Sequence, residues 1–524
     1  MASINISSGT STLKSSSSDT DTYCVYSSGT LIVSSGGHAR VYVGVNETKS
    51  GGKVEVRSLG YISGYVDYGG TLIVSKGGIV DNFLFYDGGK AYLNAGADCE
   101  NGSVFSGANL YAYGAQLNNT TVRSGGHLLL SCYSSGGVFI SSSFAFGTVL
   151  WSGATMEVNN VAWALMNTIS GGARVNVNRG GSVSSSFMYG DLFVYVGGTA
   201  TGNYVSSGGH IYVNGGSAYS NYISSGGSMD IYSGGYASVT TVNRGGTMDV
   251  SSGVSAVLNY VSGRMTVAGT AVSNYIYSGG TLSVLSKGRV FGVTNNNGSM
   301  TISSGGTASD TVMSGGSLRL DGASYNGVYK SGKVMIYEGG HSENEVFSAG
   351  EFYVLGSGSA SGNVYNGTIG SGVTMNISGG RFGGKTVSNA IINVTTGFAD
   401  VSALNGAVAK IKGGMFNAYA GGTMTSAAVS GYGSAMGKMY VMSAATVKNV
   451  DVYANAHMGI MIGGYVSSAY AAVSSGSDSA SIGVSSGGKL GTASIFGELE
   501  IGSGGSVTSA IIASVSFSRK CCRM

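Results

Sequence analysis

The sequence predicts an all-β fold, a parallel β-solenoid (β-helix) whose coils are about 18–19 residues long and are punctuated by glycine pairs. The pairs recur at gaps of 11 residues that alternate with gaps of 7 or 8, and two gaps make one coil. Apolar residues stand two apart between the pairs, as in a strand with one buried face. So short a coil becomes stable only by stacking on further coils. In the clearest region the pairs begin at Gly197, Gly208, Gly215, Gly226, Gly234 and Gly245.

Composition supports a folded chain and excludes several classes of protein. The 524 residues include 92 glycines and no proline, yet 43% are hydrophobic, which is too many for a disordered linker. The formal net charge is only +3, so no nucleic-acid partner is expected. Since no run reaches the roughly 18 apolar residues of a membrane-spanning helix, no transmembrane segment is expected. The five cysteines follow no framework spacing, which disfavours a disulfide scaffold and a zinc site.

The first half of each coil is predicted to be a strand. In GGSMDIYSGG, from Gly226 to Gly235, Met229 and Ile231 alternate with Asp230. This alternation places the two apolar side chains inside and the aspartate outside. The flanking glycine pairs supply turns that tolerate positive φ and close backbone approach.

The second half of each coil carries an alanine, then Asn or Thr three residues later, then a β-branched residue two further on. Stacked in register, the amides and hydroxyls would form a ladder whose members satisfy one another or the turn backbone. The tyrosines that follow the ladder are expected to stack on the outer face. The predicted ladder consists of Asn203, Asn221, Thr240, Asn259 and Asn274, and the tyrosines are Tyr204, Tyr222, Tyr260 and Tyr275.

The regularity of the repeat predicts four regions. Residues 1–25 are expected to be an N-terminal cap or leader segment, and residues 26–355 regular solenoid repeats. Residues 356–515 are expected to be degenerate repeats, because the glycine pairs persist there at irregular spacing, and residues 516–524 a polar tail. At 18 or 19 residues each, the chain could supply about 25 coils.

Several units resemble the repeat of AIDA-type autotransporter adhesins. The resemblance rests on GGTLIVSKGG (Gly69–Gly78), SSGGSMDIYSGGYASVTTVNRGG (Ser224–Gly246) and SSGGTASDTVMSGGSLRL (Ser303–Leu320). It implies the exported, β-helical passenger of a bacterial surface protein that mediates adhesion or aggregation and carries heptose on Ser or Thr. The expected location is therefore the bacterial cell surface or the extracellular space.

The resemblance also implies partners. Members of the family usually carry an N-terminal signal and an outer-membrane translocator, and neither is visible in this sequence. We therefore expect a translocator that is separate or missing from this chain, together with a glycosyltransferase. The serines that precede the glycine corners are the candidate glycan acceptors, although plain polar turn residues would give the same pattern. The candidates are Ser206, Ser207, Ser224 and Ser225.

An enzyme is the alternative interpretation, because parallel β-helices also host polysaccharide lyases and hydrolases. Asp230 and Asp249 form the best pair of carboxylates, and two solvated strand positions are the simpler interpretation. Four histidines, which all follow a glycine pair, lie several coils apart, too far to share a metal or a proton. They are His38, His127, His210 and His341. We therefore expect no catalytic, cofactor-binding or metal-binding residues and no cofactor.

The function predicted from the sequence is that of an adhesin-like surface rod without enzymatic activity. Repeated Tyr, Ser, Thr and Asn side chains would offer many weak contacts to host or bacterial surface glycans or proteins, or to further copies of the chain. Two alternatives stay open: a carbohydrate-active β-helix enzyme and a purely structural surface spacer.

Overall fold

The computed structural model describes residues 3–14, 21–44, 50–135, 138–357, 360–386, 389–472 and 479–513. The expected polar tail lies outside these residues. The described residues form strands and turns without helix, and the predicted fold class is confirmed as an all-β parallel β-solenoid with about 25 turns of about 19 residues. Within these ranges no helix could span a membrane. The chain divides into two compact units, Met1–Met265 and Thr266–Met524.

The strands of the first unit are short, and a corner of the coil separates each strand from the next. In chain order, β1 to β38 are Ser3–Ile6, Thr10–Lys14, Thr22–Val25, Ser27–Ser34, His38–Val43, Gly51–Val56, Tyr61–Val66, Thr71–Val74, Ile79–Phe85, Lys90–Leu93, Asp98–Glu100, Ser103–Val104, Asn109–Tyr113, Gln116–Asn118, Thr121–Val122, His127–Ser131, Tyr133–Ser135, Val138–Ser141, Phe144–Phe146, Val149–Leu150, Thr155–Val158, Trp163–Leu165, Thr168–Ile169, Arg174–Val177, Ser182–Ser184, Phe187–Met188, Asp191–Tyr195, Thr199–Thr201, Tyr204–Val205, His210–Asn214, Ser217–Tyr219, Tyr222–Ile223, Ser228–Tyr232, Tyr236–Ser238, Thr241–Val242, Thr247–Val250, Ser255–Val257 and Tyr260–Val261. Strand β39, Arg264–Val267, falls at the division.

The second unit has fewer and longer strands. In chain order, β40 to β67 are Thr270–Val272, Tyr275–Ile276, Thr281–Val284, Arg289–Phe291, Thr294–Asn295, Ser299–Ile302, Thr307–Ser309, Val312–Leu320, Ala323–Tyr325, Val328–Ile336, His341–Glu343, Val346–Phe347, Gly350–Ser357, Ala360–Ser361, Asn363–Ile369, Val373–Thr386, Ile391–Ser402, Val408–Ile411, Met415–Ala418, Thr423–Val429, Gly437–Val441, Thr446–Val452, Ala456–Ile460, Tyr465–Ala472, Ala480–Val484, Lys489–Phe496, Glu498–Ile501 and Ser506–Ile512.

A regular turn of the first unit consists of three strands, as in β30, β31 and β32. The inward residues of these strands, Ile211, Ala218 and Ile223, are fully buried. Burial of an aliphatic side chain of this size contributes roughly 1.5–3 kcal/mol, so each turn adds a few such increments to a continuous interior.

Successive turns pair in parallel and in register. Strand β30 pairs with β27 on one side and β33 on the other, so that Leu192, Ile211 and Met229 lie one above another. Because side chains alternate along each strand, outward residues form columns in the same way. Two antiparallel hairpins, β17–β18 in the first unit and β52–β53 in the second, interrupt this pattern.

The glycine pairs have two separate functions at a corner. The first glycine adopts a positive φ, as at Gly226, where φ is 74°. The second lies against the preceding turn, and a Cβ on Gly227 would be 2.7 Å from the carbonyl oxygen of Val205. A side chain at either position would therefore strain the backbone or separate the turns.

Candidate functional site

The outer surface of the first unit carries a stacked column of aromatic rings. Phe187, Tyr204 and Tyr222 are register partners on β26, β29 and β32. The ring centroids are 5.5 Å apart between Phe187 and Tyr204, and 5.0 Å apart between Tyr204 and Tyr222. All three side chains are exposed, and Thr241 occupies the next position before Tyr260. The stack therefore presents ring edges to solvent over three turns.

The first unit also exposes the two tryptophans of the chain, which occupy different columns and are together called the second aromatic group. Trp163 lies beside Phe144 in the register of β19 and β22, and Trp151 follows β20. Trp151 is 52% exposed and Trp163 54%, which is unusual for such large apolar side chains. The guanidinium of Arg123 lies 5.5 Å from the centre of the Trp151 ring. Sequence reasoning missed this group, although both tryptophans occupy outward positions of the repeat.

Aromatic residues also stack on the outer face of the five-residue strands. Phe193 and Tyr212 are register partners whose ring centroids lie 4.6 Å apart. The guanidinium of Arg174 lies over the Phe193 ring of this stack, 4.0 Å from the ring centre. Such cation–π contacts order a long side chain at the surface. The columns thus combine flat rings with fixed positive charge.

The predicted glycan acceptors lie at one corner of the coil. Ser207 and Ser225 are exposed, whereas Ser206 and Ser224 are half-buried. A Cβ on Gly226 would be 2.9 Å from Ser207 Oγ, so this hydroxyl lies over the glycine of the next turn. The same arrangement recurs at other corners, where exposed serines lie over the following glycine. These further serines are Ser106, Ser124 and Ser152.

The six predicted turn glycines all adopt positive φ values between 74° and 81°. They occupy corners of the coil, where the chain changes direction between strands. Their positions set the spacing of the outer columns, because they hold the turns in register. They are Gly197, Gly208, Gly215, Gly226, Gly234 and Gly245.

The five members of the predicted Asn/Thr ladder are all buried. The Oδ1 atom of Asn221 accepts bonds from the backbone nitrogen of Asn203 at 3.0 Å and from its Nδ2 at 3.1 Å. The backbone nitrogen of Thr240 likewise donates to Asn259 Oδ1 at 3.0 Å. Within the first unit, each of these amides therefore satisfies the corner of a neighbouring turn. Asn274 belongs to the second unit.

The two candidate catalytic carboxylates lie side by side. Asp230 and Asp249 are register partners on β33 and β36. Burial, and to a lesser extent the charge of Asp249, raise the pKa of Asp230. The position is shared along the column with Phe193 and Tyr212, so it is a general outward position of the repeat rather than a specialised pair.

Other reactive side chains have simple structural environments. His127 Nδ1 lies 2.9 Å from Thr155 Oγ1, and His210 contacts the hydroxyl of Ser228, each one turn away. Burial raises the pKa of the Cys99 thiol to about 12, which disfavours the nucleophilic thiolate. In the part of the chain that the structure describes, no group of three or more His, Cys, Asp or Glu side chains could hold a metal ion.

The fold and its outer columns define a β-solenoid repeat protein. Residues 204–263 match a family model described as "AIDA: Adhesin of bacterial autotransporter system, probable stalk". This match confirms the predicted resemblance to AIDA-type repeat proteins. The matched segment contains Tyr204, Tyr222 and most of the predicted ladder. In this segment the chain is similar to the stalk of bacterial autotransporter adhesins.

Part of the chain is also similar to a solved structure. The crystal structure of a TibC-catalyzed hyper-glycosylated TibA55-350 fragment is 28% identical in sequence, with a TM-score of 0.46. The alignment covers 54% of this chain and 96% of the fragment. The search of curated proteins gave no match.

Proposed function

We propose that this chain is an adhesin-like repeat displayed at the bacterial cell surface or outside the cell, where it adheres or self-aggregates through many weak contacts. The observation that carries the proposal is the in-register stacking of exposed aromatic side chains in the segment that matches the AIDA stalk model. The proposed role is non-enzymatic, because the outer columns repeat a contact surface rather than converge on one reacting point.

The proposed contact surface combines the two aromatic groups of the first unit. Trp163, Phe187 and Tyr204 are exposed, and aromatic rings of this kind supply large contact areas at low entropic cost. A single ring contributes little, but copies fixed in one array bind together once the first contact has formed. The expected partners are surface glycans, surface proteins or further copies of the chain.

Glycosylation is proposed for the exposed corner serines. Ser207 and Ser225 are better acceptors than Ser206 and Ser224, because their hydroxyls are more accessible at the edge of the coil. The glycine that follows one turn later leaves room beside each hydroxyl. Peptide mass spectrometry after co-expression with a heptosyltransferase is expected to show sugar on Ser207 and Ser225. Modification confined to Ser206 and Ser224 would contradict this assignment.

The adhesive role is tested by display on bacteria. The full chain is fused to an outer-membrane translocator, and cells that carry the translocator alone serve as the control. The proposal predicts that cells with the chain settle from suspension and bind to abiotic or host-cell surfaces faster than the control cells. Equal settling and equal binding, at equal surface levels of folded protein, would favour the structural spacer instead.

A further inference from the structure

A small cavity opens on the outer face of the second unit, where β60, β62, β64 and β66 pair in parallel. Tyr440, Gly459, Gly483 and Glu500 occupy one outward column of these strands. The ring of Tyr440 covers Gly459, where a Cβ would lie 2.7 Å from the ring, whereas Gly483 leaves its backbone open on the side of Glu500. Glycine inside a strand weakens it and often marks the close approach of a ligand. The cavity at this place has a volume of about 240 Å³.

His457 forms one wall of the cavity. Its Nδ1 lies 2.9 Å from Ser481 Oγ, one turn away, and the Cε1–Nε2 edge of the ring faces Gly483. A Cβ on Gly483 would be 3.4 Å from the Cε1 atom of His457 and 3.8 Å from its Nε2. Burial first, and the charge of Lys438 second, lower the pKa of His457, although Glu500 and Glu498 oppose this. The imidazole is therefore neutral at neutral pH and offers Nε2 to a ligand.

The other walls add an acceptor, a donor and an apolar surface. Glu500 lines the cavity from the following turn, and its carboxylate accepts hydrogen bonds. Ser485 Oγ donates a hydrogen bond to the sulfur of Met461 at 3.6 Å. Because a thioether sulfur is a weak acceptor, this hydroxyl can rotate to bond a stronger partner. The side chain of Met461 itself forms an apolar flank.

We propose that this cavity binds one ring of a neutral sugar. The ring hydroxyls would bond to His457, Ser485 and Glu500, while its C–H face would lie against Met461 and the open backbone of Gly483. A volume of about 240 Å³ lies below the roughly 300–1,000 Å³ of pockets that hold drug-sized ligands, which suits a single ring rather than an oligosaccharide. The carboxylates of Glu498 and Glu500 disfavour an acidic sugar. This local site goes beyond the distributed adhesive surface of the first unit and does not depend on it.

The proposal is tested by saturation-transfer NMR on the full chain. The probes are the methyl glycosides of glucose, galactose and mannose, and N-acetylglucosamine, each at millimolar concentration. Gly483→Val fills the cavity, and the strand accommodates it because the new Cβ makes only ordinary contacts. We expect transfer from the wild-type protein to the ring protons of at least one sugar, and at least a tenfold loss in Gly483→Val. Gly383→Val is the matched control, because its Cβ would lie 3.6 Å from the nearest atom, the Val364 oxygen.

A second variant keeps the test independent of folding. Glu500→Gln removes the charge with little change in shape, and loss of one charged hydrogen bond is expected to weaken binding about tenfold. Absence of transfer to all four sugars, or equal transfer from Gly483→Val and wild type, overturns the sugar site. Neither result affects the adhesive proposal, since cell settling is measured separately and depends on the first unit.

Discussion

Single buried amides hold the corners of the first unit together. Asn221 accepts two hydrogen bonds from Asn203, and its Nδ2 donates to the carbonyl oxygen of Ala200 at 3.2 Å. Loss of these contacts leaves buried polar groups without a partner, and each such group costs roughly 1–3 kcal/mol. Asn221→Ala is therefore expected to lower the free energy of unfolding by about that amount, measured by denaturant titration with far-ultraviolet circular dichroism.

Two matched variants complete this experiment. Asn214→Ala alters an outward asparagine at the end of β30 and should change stability little. Asn221→Thr should recover part of the loss, because the ladder itself carries threonine at Thr240. Equal stability of Asn221→Ala and wild type would show that the amide ladder does not support the corners.

The same inner position carries a carboxyl group in the second unit. One inner column of the second unit contains Asn274, Thr311 and Glu345. The residue that follows each of them is aligned in the register of the paired strands. Glu345 is fully buried beside Gly327, Ser324 and Tyr329. Neither of its carboxyl oxygens forms a hydrogen bond of regular geometry with these neighbours. Burial raises the pKa of Glu345 to about 7, while those neighbours lower it only in part.

This burial predicts a definite pH dependence of stability. Between the ordinary glutamate pKa of about 4.3 and the folded value of about 7, the folded state holds a proton that the unfolded state has released. The free energy of unfolding should therefore fall as pH rises through this window, by at most roughly 1.4 kcal/mol per pH unit. Glu345→Gln should remove this fall. Glu351→Gln, which changes an exposed carboxyl on β52, should retain it, and an unchanged slope in Glu345→Gln would contradict the argument.

At the scale of elements, the solenoid should tolerate the deletion of one whole turn but not the deletion of half a turn. The register partners Asp191, His210 and Ser228 begin three successive turns. Deletion of residues 210–227 removes one complete turn and joins equivalent positions. We expect this variant to fold, since each turn contacts only its neighbours. Deletion of residues 210–218 instead removes half a turn and should expose apolar side chains.

Limited proteolysis and circular dichroism distinguish these two outcomes. The complete-turn deletion should remain β-rich and resistant, and the half-turn deletion should be cleaved quickly. Equal resistance of both variants would mean that the stacking register described for β27, β30 and β33 does not determine stability.

Much of the fold could be predicted from the sequence, because each coil repeats a local pattern. The alternation of Met229, Asp230 and Ile231 and the ladder at Asn203 and Asn221 depend only on neighbouring coils. The cavity beside His457 could not be predicted, because its walls come from turns of unequal length in the degenerate region. The Glu345 position was also missed, since the ladder pattern fades before it.

At the scale of the whole molecule, adhesion should depend on the exposed aromatic side chains of the first unit. Replacement of Trp151, Trp163, Phe187 and Tyr204 by serine removes four exposed aromatic side chains of the first unit without touching the interior. We expect the displayed variant to settle several-fold more slowly than the wild-type chain. A matched variant with Tyr419, Tyr453, Tyr465 and Tyr470 replaced alters exposed tyrosines of the second unit and should settle like the wild type. Equal effects of both variants would argue against a contact surface centred on the first unit.

The most direct test of the central claim is a length series displayed on cells. Complete turns are removed in register from the first unit, starting with residues 191–209, then 210–227 and then 228–246. Each variant is first shown to be folded and present at equal surface density, and cell-to-cell aggregation is then measured. Distributed contacts predict that aggregation falls gradually with each turn removed. Complete loss after one particular turn, with no further change, would contradict this account and indicate a single local binding site.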